Sequence, residues 1–346
     1  MTHMPRPLSR AVIGLPVDTA RRRLLLQAAA LGAGACAAPW VRAQQAWPAK
    51  PIRFIVPFNP GGATDTMARM LADKLGPRLG QTIIVENKGG AAGVIGTDAV
   101  AKAAPDGHTF TVSLSTSLLI NQFLFTKLPY NPQRDLAMVS QLAIAPVTLV
   151  VHPSVPASNA AELRKYIAAN KGKVSYGSYG IGSYAHLAGA YMSQSLDADM
   201  AHISYKGEAP MVQDLLGGQI QMAFSSAQNT KPHIDAGKLK VIGVTGDQRM
   251  SVLPNVPTLA EQGMKDDAYR ICGWVGLAAP AKTPADIVQR MAREVSTILH
   301  TAEMREKVAN LGFSVVADTP DAFLAAYKKD APVWEQLVKA SGAKLD

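Results

Sequence analysis

Residues 51–65 have the sequence PIRFIVPFNPGGATD, and this stretch decides the fold class. Its first half, residues 51–58, contains the β-branched and aromatic residues that favour a strand. The Asn-Pro-Gly-Gly segment at 59–62 predicts a turn, and between 66 and 79 apolar residues recur at helical spacing. A strand, a turn and a helix in this order form the repeating unit of α/β proteins.

The same unit recurs along the rest of the chain. Further strands are predicted at 82–86, 108–114, 147–151, 173–176, 202–205, 221–224, 240–244 and 275–279. Further helices are predicted at 94–103, 160–169, 184–195 and 210–216. Because strands alternate with helices, we expect an α/β fold built on parallel sheets.

The domain organisation is indicated by length and by an internal similarity. A chain of 346 residues favours two domains, since a typical domain has about 150 residues. Residues 147–163 run strand, turn, helix, and residues 274–287 repeat that pattern, as two strands crossing between lobes would. We therefore predict a discontinuous first lobe, 44–147 plus 275–346, and a continuous second lobe, 148–274. Two sequential domains split near residue 147 are the alternative.

The net charge of +9 is unevenly distributed. Residues 1–43 hold six Arg and one Asp, a charge of +5, which leaves +4 for the rest of the chain. Basic and acidic side chains are interspersed in that remainder, so the composition argues against a nucleic-acid partner. A weak positive field would still attract an anionic ligand.

The first 43 residues have the pattern of a secretory signal peptide. Arg21, Arg22 and Arg23 precede an apolar run at 24–38, which is shorter than the roughly 20 residues that span a bilayer. Val41-Arg42-Ala43 has small residues where cleavage needs them, so we predict a cut after Ala43 and a periplasmic protein. The Arg run fits a twin-arginine signal or an ordinary one.

The two cysteines are Cys36 and Cys272. Lipidation at Cys36 is a third possibility for the exported segment, although the residues before it, 33–35, fit that poorly. If Cys36 leaves with the signal, one thiol remains and no internal disulfide can form. The mature chain must then rely on its core, which its length permits.

Three glycine-bearing turns, at 59–65, 87–93 and 177–183, each follow a predicted strand and precede a predicted helix. Free backbone N–H groups and the helix dipole favour an anion at such a place. An ordinary strand–helix turn has the same pattern, so one such loop alone is not specific. Residues 180–185 match G-x-G-x-x-A, but their mid-chain position argues against a dinucleotide site.

Sequence signatures of common enzymes are missing. The chain has no G-x-S-x-G, no phosphate-binding P-loop motif and no H-E-x-x-H, and its seven His lack metal-ligand spacing. We therefore expect no catalytic residues, no metal and no cofactor. The alternative is a periplasmic hydrolase that uses Ser183 and His186, which lie one helical turn apart.

Several stretches taken in order resemble one family. They are PIRFIVPFNPGGATD at 51–65, VENKGGAAGVIG at 85–96, APDG at 104–107, SYGIGSYAHLAG at 178–189, YKG at 205–207 and LPNVPTLAEQG at 253–263. Together they resemble the Bug-type receptors of tripartite tricarboxylate transporters over essentially the whole mature chain. The resemblance implies a type II periplasmic-binding-protein fold, with two α/β lobes joined by two crossing strands.

The resemblance also implies a monomeric binding protein that captures a small carboxylate or related polar ligand between its lobes. Its partners would be the membrane permease subunits of a tripartite transporter or a sensor kinase. The ligand-binding residues carried over from the family are Phe58, Gly61, Gly62, Thr64, Asp65, Ser115, Thr116, Ser178, Gly180, Gly182, Ser183, His186, Tyr205 and Gly207. Amides and hydroxyls would donate to the carboxylate, and Asp65 would order water or accept from a ligand hydroxyl or amine.

Two residues depart from the usual family pattern at the expected site. Asn59 stands where a small residue is more common, and Tyr179 stands where Ala is usual. A polar and a bulky side chain there would change the size of ligand accepted. The sequence therefore leaves an aromatic or amide-bearing ligand open beside a dicarboxylate.

Overall fold

The computed structural model describes residues 47–345, and the predicted signal segment, 1–43, lies outside them. The strands are β1 Ile52–Val56, β2 Ile83–Asn87, β3 Thr109–Leu114, β4 Leu136–Ala145, β5 Thr148–Val151, β6 Ser175–Ser178, β7 Ala201–Ser204, β8 Met222–Ser225, β9 Lys240–Val244, β10 Gly273–Pro280 and β11 Ser314–Val315. A 3₁₀ turn spans Ala91–Gly93 and a π-helical turn spans Thr116–Ile120.

The helices of the described residues include seven of nine residues or fewer and several long ones that cover the sheets. They are α1 Ala63–Leu79, α2 Val94–Ala101, α3 Asn121–Leu124, α4 Pro132–Asp135, α5 Ala160–Ala169, α6 Tyr184–Ser195, α7 Glu208–Leu216, α8 Ala227–Asp235, α9 Asp267–Arg270, α10 Ala285–Leu299, α11 Ala302–Asn310 and α12 Pro320–Ser341. No helix within residues 47–345 is long and apolar enough to cross a membrane.

The strands form two sheets. The first lobe is built on six strands in the order β11-β4-β10-β3-β1-β2, and the second lobe on five in the order β7-β6-β8-β5-β9. Strand β1 is parallel to β2 and β3, and β6 is parallel to β7 and β8. However, β10 is antiparallel to β3 and β4, and β5 is antiparallel to β8 and β9. The prediction of parallel sheets is therefore right only in part: β1–β3 and β6–β8 are parallel, whereas β10 and β5 run against their neighbours.

The chain crosses between the two sheets at two adjacent places. Strand β4 of the first lobe leads directly through Pro146 and Val147 into β5 of the second. Strand β10 returns to the first lobe, with Gly273 opposite Ala145. The first crossing segment is tied to the end of β9, where Val147 N–H donates to Thr245 Oγ1 and Thr245 N–H donates to the Val147 carbonyl, both at 2.9 Å. The predicted two-lobed fold with two crossing strands is confirmed.

Strand β4, which the sequence did not predict, lies inside the first sheet between β10 and β11. Its centre contains the buried polar residues Ser140 and Gln141. Ser140 Oγ donates to the Asp318 carbonyl, and the Gln141 N–H donates to Asp318 Oδ1, both at 2.8 Å. Because their partner is remote in sequence, nothing local indicated that these polar residues belong to a buried strand.

Helix α12 packs against the crossing strand β10 and against helix α6. Its Phe323 packs edge-to-face against Trp274 of β10, and its Trp334 packs in the same way against Tyr184 of α6. Trp274, Phe323 and Trp334 are almost fully buried, so the last helix contributes core to both lobes. Cys272, just before β10, is the free cysteine of the described residues, and burial raises the pKa of its thiol to about 12.

Candidate functional site

A cavity of about 510 Å³ lies where the two lobes meet the crossing segments. First-lobe lining residues are Phe58, Asn59, Gly61, Gly62, Ala63, Thr64, Asp65, Leu114, Ser115, Thr116, Ile120, Leu311, Phe313 and Trp334. The crossings contribute Ala145, Pro146, Val147, Gly273 and Trp274, and the second lobe contributes Tyr179, Tyr184, Gly207, Glu208, Ser226, Gln228 and Asn229. Its size suits a small molecule, since such sites measure about 300–1,000 Å³.

The first-lobe loop between β1 and α1 forms one wall of the cavity. Gly61 has a φ of +83°, a conformation that L-residues with side chains rarely adopt. Helix α1 begins after Gly62, so the first N–H groups of the helix lack intrahelical acceptors at the cavity wall. Phe58, Gly61, Gly62, Thr64 and Asp65, all predicted from the sequence, lie here.

Asp65 is buried and holds this loop in shape. Its carboxylate accepts from the Gly61 N–H at 2.9 Å, from Asn87 Nδ2 at 3.0 Å and from Arg69 at 3.0 Å. Burial alone would raise the pKa of Asp65, but hydrogen bonds from Arg69, Gly61 and Asn87 hold it below its ordinary value. Protein donors already occupy the acceptor positions of this carboxylate, so its role is to position the loop. The geometry does not support the predicted role of accepting a hydrogen bond from the ligand.

Ser115 and Thr116 follow strand β3 and extend the same wall, as predicted. Ser115 is buried, and its Oγ accepts from the N–H of Trp274 at 3.4 Å. The end of β3 is thus tied to the second crossing. Both hydroxyl residues line the cavity beside Trp274, where the two lobes are joined.

The predicted second-lobe residues are placed differently. Gly207 lines the cavity, but Ser178, Gly180, Gly182, Ser183, His186 and Tyr205 do not. Ser183 Oγ donates to the Gly180 carbonyl at 2.6 Å, and Ser178 Oγ shares a hydrogen bond of 2.7 Å with His202 Nε2. The polar groups of this turn therefore satisfy one another.

His186 belongs to the same internal network. Its Nδ1 accepts from the Gly182 N–H at 3.1 Å, and its ring stacks on His202 with centroids 4.0 Å apart. Burial, and then the neighbouring His202, lower the pKa of His186 to about 4. Ser183 Oγ accepts from the backbone N–H of His186 rather than from its ring. The geometry therefore does not provide the hydrolase dyad considered from the sequence.

Besides Asn59 and Tyr179, eight polar or aromatic lining residues were not among the predicted contacts: Tyr184, Glu208, Ser226, Gln228, Asn229, Trp274, Phe313 and Trp334. Three of them lie at the start of α8, whose first-turn N–H groups face no intrahelical acceptor. The turn before α8, Ser225–Ser226, contains no glycine, so it lacks the glycine-bearing pattern that marks the other predicted strand–helix turns. The sequence pattern that could have identified these lining residues is the predicted strand at 221–224 followed directly by polar residues.

Glu208 bridges two helix starts. It is the first residue of α7, and its carboxylate accepts from Ser226 N–H at 3.1 Å, from Ser226 Oγ at 2.5 Å and from Asn229 Nδ2. Ser226 is the N-cap of α8 and Asn229 lies in its first turn. The carboxylate of Glu208 therefore occupies the N-terminus of α8, where the helix dipole favours a negative charge.

Aromatic side chains form much of the remaining wall: Phe58, Tyr179, Tyr184, Trp274, Phe313 and Trp334. The Tyr184 hydroxyl donates to the Ala268 carbonyl at 2.8 Å, and Trp274 Nε1–H donates to Asp330. The Nε1–H of the fully buried Trp334, by contrast, has no protein partner within the described chain.

The charged groups of the lining are both acidic. Among the described residues that line the cavity, Asp65 and Glu208 carry charge and none is Lys, Arg or His. Within residues 47–345 no cluster of three or more His, Cys, Asp or Glu side chains is arranged to hold a metal ion. An anion in this cavity would therefore be bound by N–H and O–H donors.

Comparisons with known proteins agree on one family. The family model described as the tripartite tricarboxylate transporter family receptor matches residues 67–342. The chain is 35% identical to protein BugT of Bordetella pertussis over 300 residues, which are 86% of this chain and 91% of BugT. It is 34% identical to a UPF0065 protein encoded between tcbD and tcbE in Pseudomonas sp. strain P51, with 86% and 88% covered.

Solved structures show the same similarity. The periplasmic binding protein BugD has 34% identity and a TM-score of 0.72, with 86% of this chain and 99% of BugD covered. R. palustris Rpa4515 with adipate has 29% identity and a TM-score of 0.76, with 86% and 100% covered. MatC from Rhodopseudomonas palustris with bound malate has 30% identity and a TM-score of 0.71, with 84% and 100% covered.

Proposed function

The chain belongs to the receptor family of tripartite tricarboxylate transporters, and on that basis we propose that it captures a small carboxylate-type ligand for delivery to such a transporter. It is a solute-binding receptor of the Bug type and not an enzyme. The membrane permease subunits would receive the ligand. A sensor kinase is the alternative recipient.

One observation carries the proposal: the cavity is lined from both lobes by the starts of helices. Helix α1 contributes residues 61–65, α7 contributes Gly207 and Glu208, and α8 contributes Ser226 and Asn229. Helix starts present free N–H groups and a partial positive charge, which bind a carboxylate without a basic side chain. The α1 start is the best suited of the three, because the Glu208 carboxylate already lies at the α8 start. The relatives solved with adipate and with malate support a carboxylate ligand.

The predicted lobe boundaries and ligand contacts are part of the same proposal. We place lobe 1 at 44–147 plus 275–346 and lobe 2 at 148–274, which is supported by the sheet order. The proposed contacts with the strongest support are those that line the cavity: Phe58, Gly61, Gly62, Thr64, Asp65, Ser115, Thr116 and Gly207. The other proposed contacts lie outside the lining: Ser178, Gly180, Gly182, Ser183, His186 and Tyr205.

Export completes the proposal. We propose that residues 1–43 direct the chain to the periplasm and are removed after Ala43, as expected for a periplasmic receptor. Mass spectrometry of the protein recovered from a periplasmic extract would measure this directly. A mature chain that begins at Gln44 is expected, and retention of residues 1–43 would contradict the proposed cut.

Ligand capture is tested by thermal unfolding of protein purified without a refolding step. A panel of aliphatic and aromatic monocarboxylates and dicarboxylates is added at millimolar concentration. A true ligand stabilises the folded state by about 2.7 kcal/mol at one hundred times its Kd, so the Tm should rise. If no carboxylate in the panel raises the Tm, the carboxylate proposal fails.

A further inference from the structure

Asp65 and Glu208 are the two acids of the cavity wall, and they differ in how their charges are balanced. Asp65 is paired with Arg69, whose Nη2 lies 3.0 Å from Asp65 Oδ1. The hydrogen-bond partners of Glu208, in contrast, are the neutral groups of Ser226 and Asn229. The first-lobe wall is therefore close to neutral, while the second-lobe wall has an unbalanced negative charge.

The position of Glu208 has a further effect on the second-lobe wall. Helix α8 has no acidic residue of its own in its first turn, so its N-terminus would suit an anion. The Glu208 carboxylate already accepts the Ser226 N–H there. A ligand carboxylate placed at the same helix start would meet a like charge as well as an occupied donor. At the α1 start in the first lobe one donor is also occupied, because Asp65 accepts the Gly61 N–H, but the charge of Asp65 is balanced by Arg69.

Glu208 retains capacity for one more donor. A carboxylate offers about four acceptor positions, two on each oxygen. Oε2 accepts from Ser226 Oγ and from Asn229 Nδ2, whereas Oε1 accepts from the Ser226 N–H. An ammonium, amide N–H or hydroxyl group of a ligand would satisfy the remaining position and would also offset the charge.

From these contacts we infer that Glu208 is a specificity-determining residue that selects a ligand with one carboxylate and a hydrogen-bond donor at its other end, and rejects dicarboxylates. The inference rests on the proposed function, since it concerns the ligand of the same cavity. The carboxylate would bind at the α1 start and the donor would face Glu208. This selection would distinguish the chain from the two relatives solved with the dicarboxylates adipate and malate.

The test uses ligand pairs of equal length and isothermal titration calorimetry. The probes are adipate and its monoamide, which are flexible, and terephthalate and its monoamide, which are rigid. We expect the wild-type protein to bind at least one monoamide about tenfold or more tightly than the matching diacid, because the second carboxylate of the diacid would be repelled by the charge of Glu208.

The variant Glu208→Gln keeps the size of the side chain and removes its charge. It should reduce that preference about tenfold, mainly by improving diacid binding, because the like-charge repulsion is gone. Glu306→Gln is the matched control: it removes the same charge from an exposed position on α11 and should keep the wild-type preference. Circular dichroism of each variant checks that the fold is retained.

Three results are decisive. A monoamide preference that Glu208→Gln reduces and Glu306→Gln keeps supports the inference. A wild-type protein that binds the diacids equally or more tightly, or a preference unchanged in Glu208→Gln, overturns the inference while carboxylate binding stands. If none of the four probes gives a heat of binding with wild type or with Glu208→Gln, this result contradicts the proposed carboxylate function, and the inference fails with it.

Discussion

The indole Nε1–H of Trp274 donates a hydrogen bond of 3.2 Å to Oδ2 of Asp330. This bond connects β10, the returning crossing strand, to helix α12 at the level of the cavity, because Trp274 lines the cavity wall. Burial raises the pKa of Asp330 to about 6, with the Trp274 hydrogen bond and the nearby Lys329 acting in the opposite direction. The joint between the lobes therefore contains a carboxyl group that titrates in mildly acidic conditions.

Asp330 should make stability fall as the pH rises from 4 to 7. Its folded pKa, about 6, lies above the ordinary value of about 3.9 for Asp, so the folded state holds the proton more tightly. The stabilisation is complete below pH 4 and is lost as the pH passes 6, on the order of 3 kcal/mol. Urea unfolding of wild type and Asp330→Asn across this range measures the difference. Asp321→Asn, an exposed change on the same helix, should retain the wild-type trend.

Asp65 should show the opposite pH dependence. Its pKa is lowered by Arg69, Gly61 and Asn87 against the effect of burial, so its contribution is present above the ordinary Asp pKa of about 3.9 and lost as the pH falls below it. Asp65→Asn should destabilise the protein at pH 7 by about 2 kcal/mol and less at pH 3. Asp73→Asn, exposed on the same helix, is the control. An equal effect of both substitutions would contradict the role given to Asp65.

Removing the hydroxyl of Thr64, which lines the cavity, should weaken ligand binding. Removing the hydroxyl of Ser183, which lies outside the lining, should not. Thr64→Val keeps the shape of a buried lining residue and should raise the Kd of a carboxylate ligand about fivefold, consistent with the loss of a hydrogen bond worth about 1 kcal/mol. Thr66→Val, which lies on the same helix outside the lining, is the matched control.

Ser183→Ala should lower stability by about 1 kcal/mol, because Ser183 is the N-cap of α6, and leave the Kd nearly unchanged. Titration calorimetry with the tightest ligand of the panel measures the Kd, and urea unfolding measures the stability. If Ser183→Ala weakens binding more than Thr64→Val, the second-lobe residues predicted from the family contact the ligand after all.

Gly182 should tolerate a side chain worse than other glycines of the same conformation. Its φ is +77°, and an added Cβ would lie 2.5 Å from Cδ1 of the buried Leu124. Gly237 has a φ of +66° with open space around it, so Gly237→Ala measures the backbone cost alone, about 1 to 2 kcal/mol. Gly182→Ala should cost about 1 kcal/mol more. Adding Leu124→Ala should remove that excess, which a double-mutant cycle by urea unfolding would detect.

The sequence predicted the fold class because many local signals agreed. Strand β1, the glycine turn and helix α1 follow directly from residue types and spacing. Strand β4 could not be predicted, because Ser140 and Gln141 interrupt its apolar pattern and are satisfied by the distant Asp318. The direction of β5 and β10 also depends on long-range pairing that no local pattern contains.

The first-lobe half of the site was predicted more fully than the second. Loop 58–65 has one conformation-determining glycine and a helix start, and both are visible in the residues. In the second lobe the glycine-rich turn at 177–183 predicted a ligand site. The Gly182 N–H and the Ser183 hydroxyl instead donate to nearby groups, His186 Nδ1 and the Gly180 carbonyl. Glu208 and Ser226 meet only when α7 and α8 pack side by side, so sequence spacing could not identify them.

The thiol of Cys272 makes the mature protein a convenient starting point for a reagentless optical sensor. With its pKa raised to about 12, this thiol is almost entirely protonated at neutral pH and would react slowly with maleimide dyes. A cysteine introduced at Ile181, which is 47% exposed in the second lobe, should therefore be labelled selectively. The native chain would need no prior removal of its own cysteine.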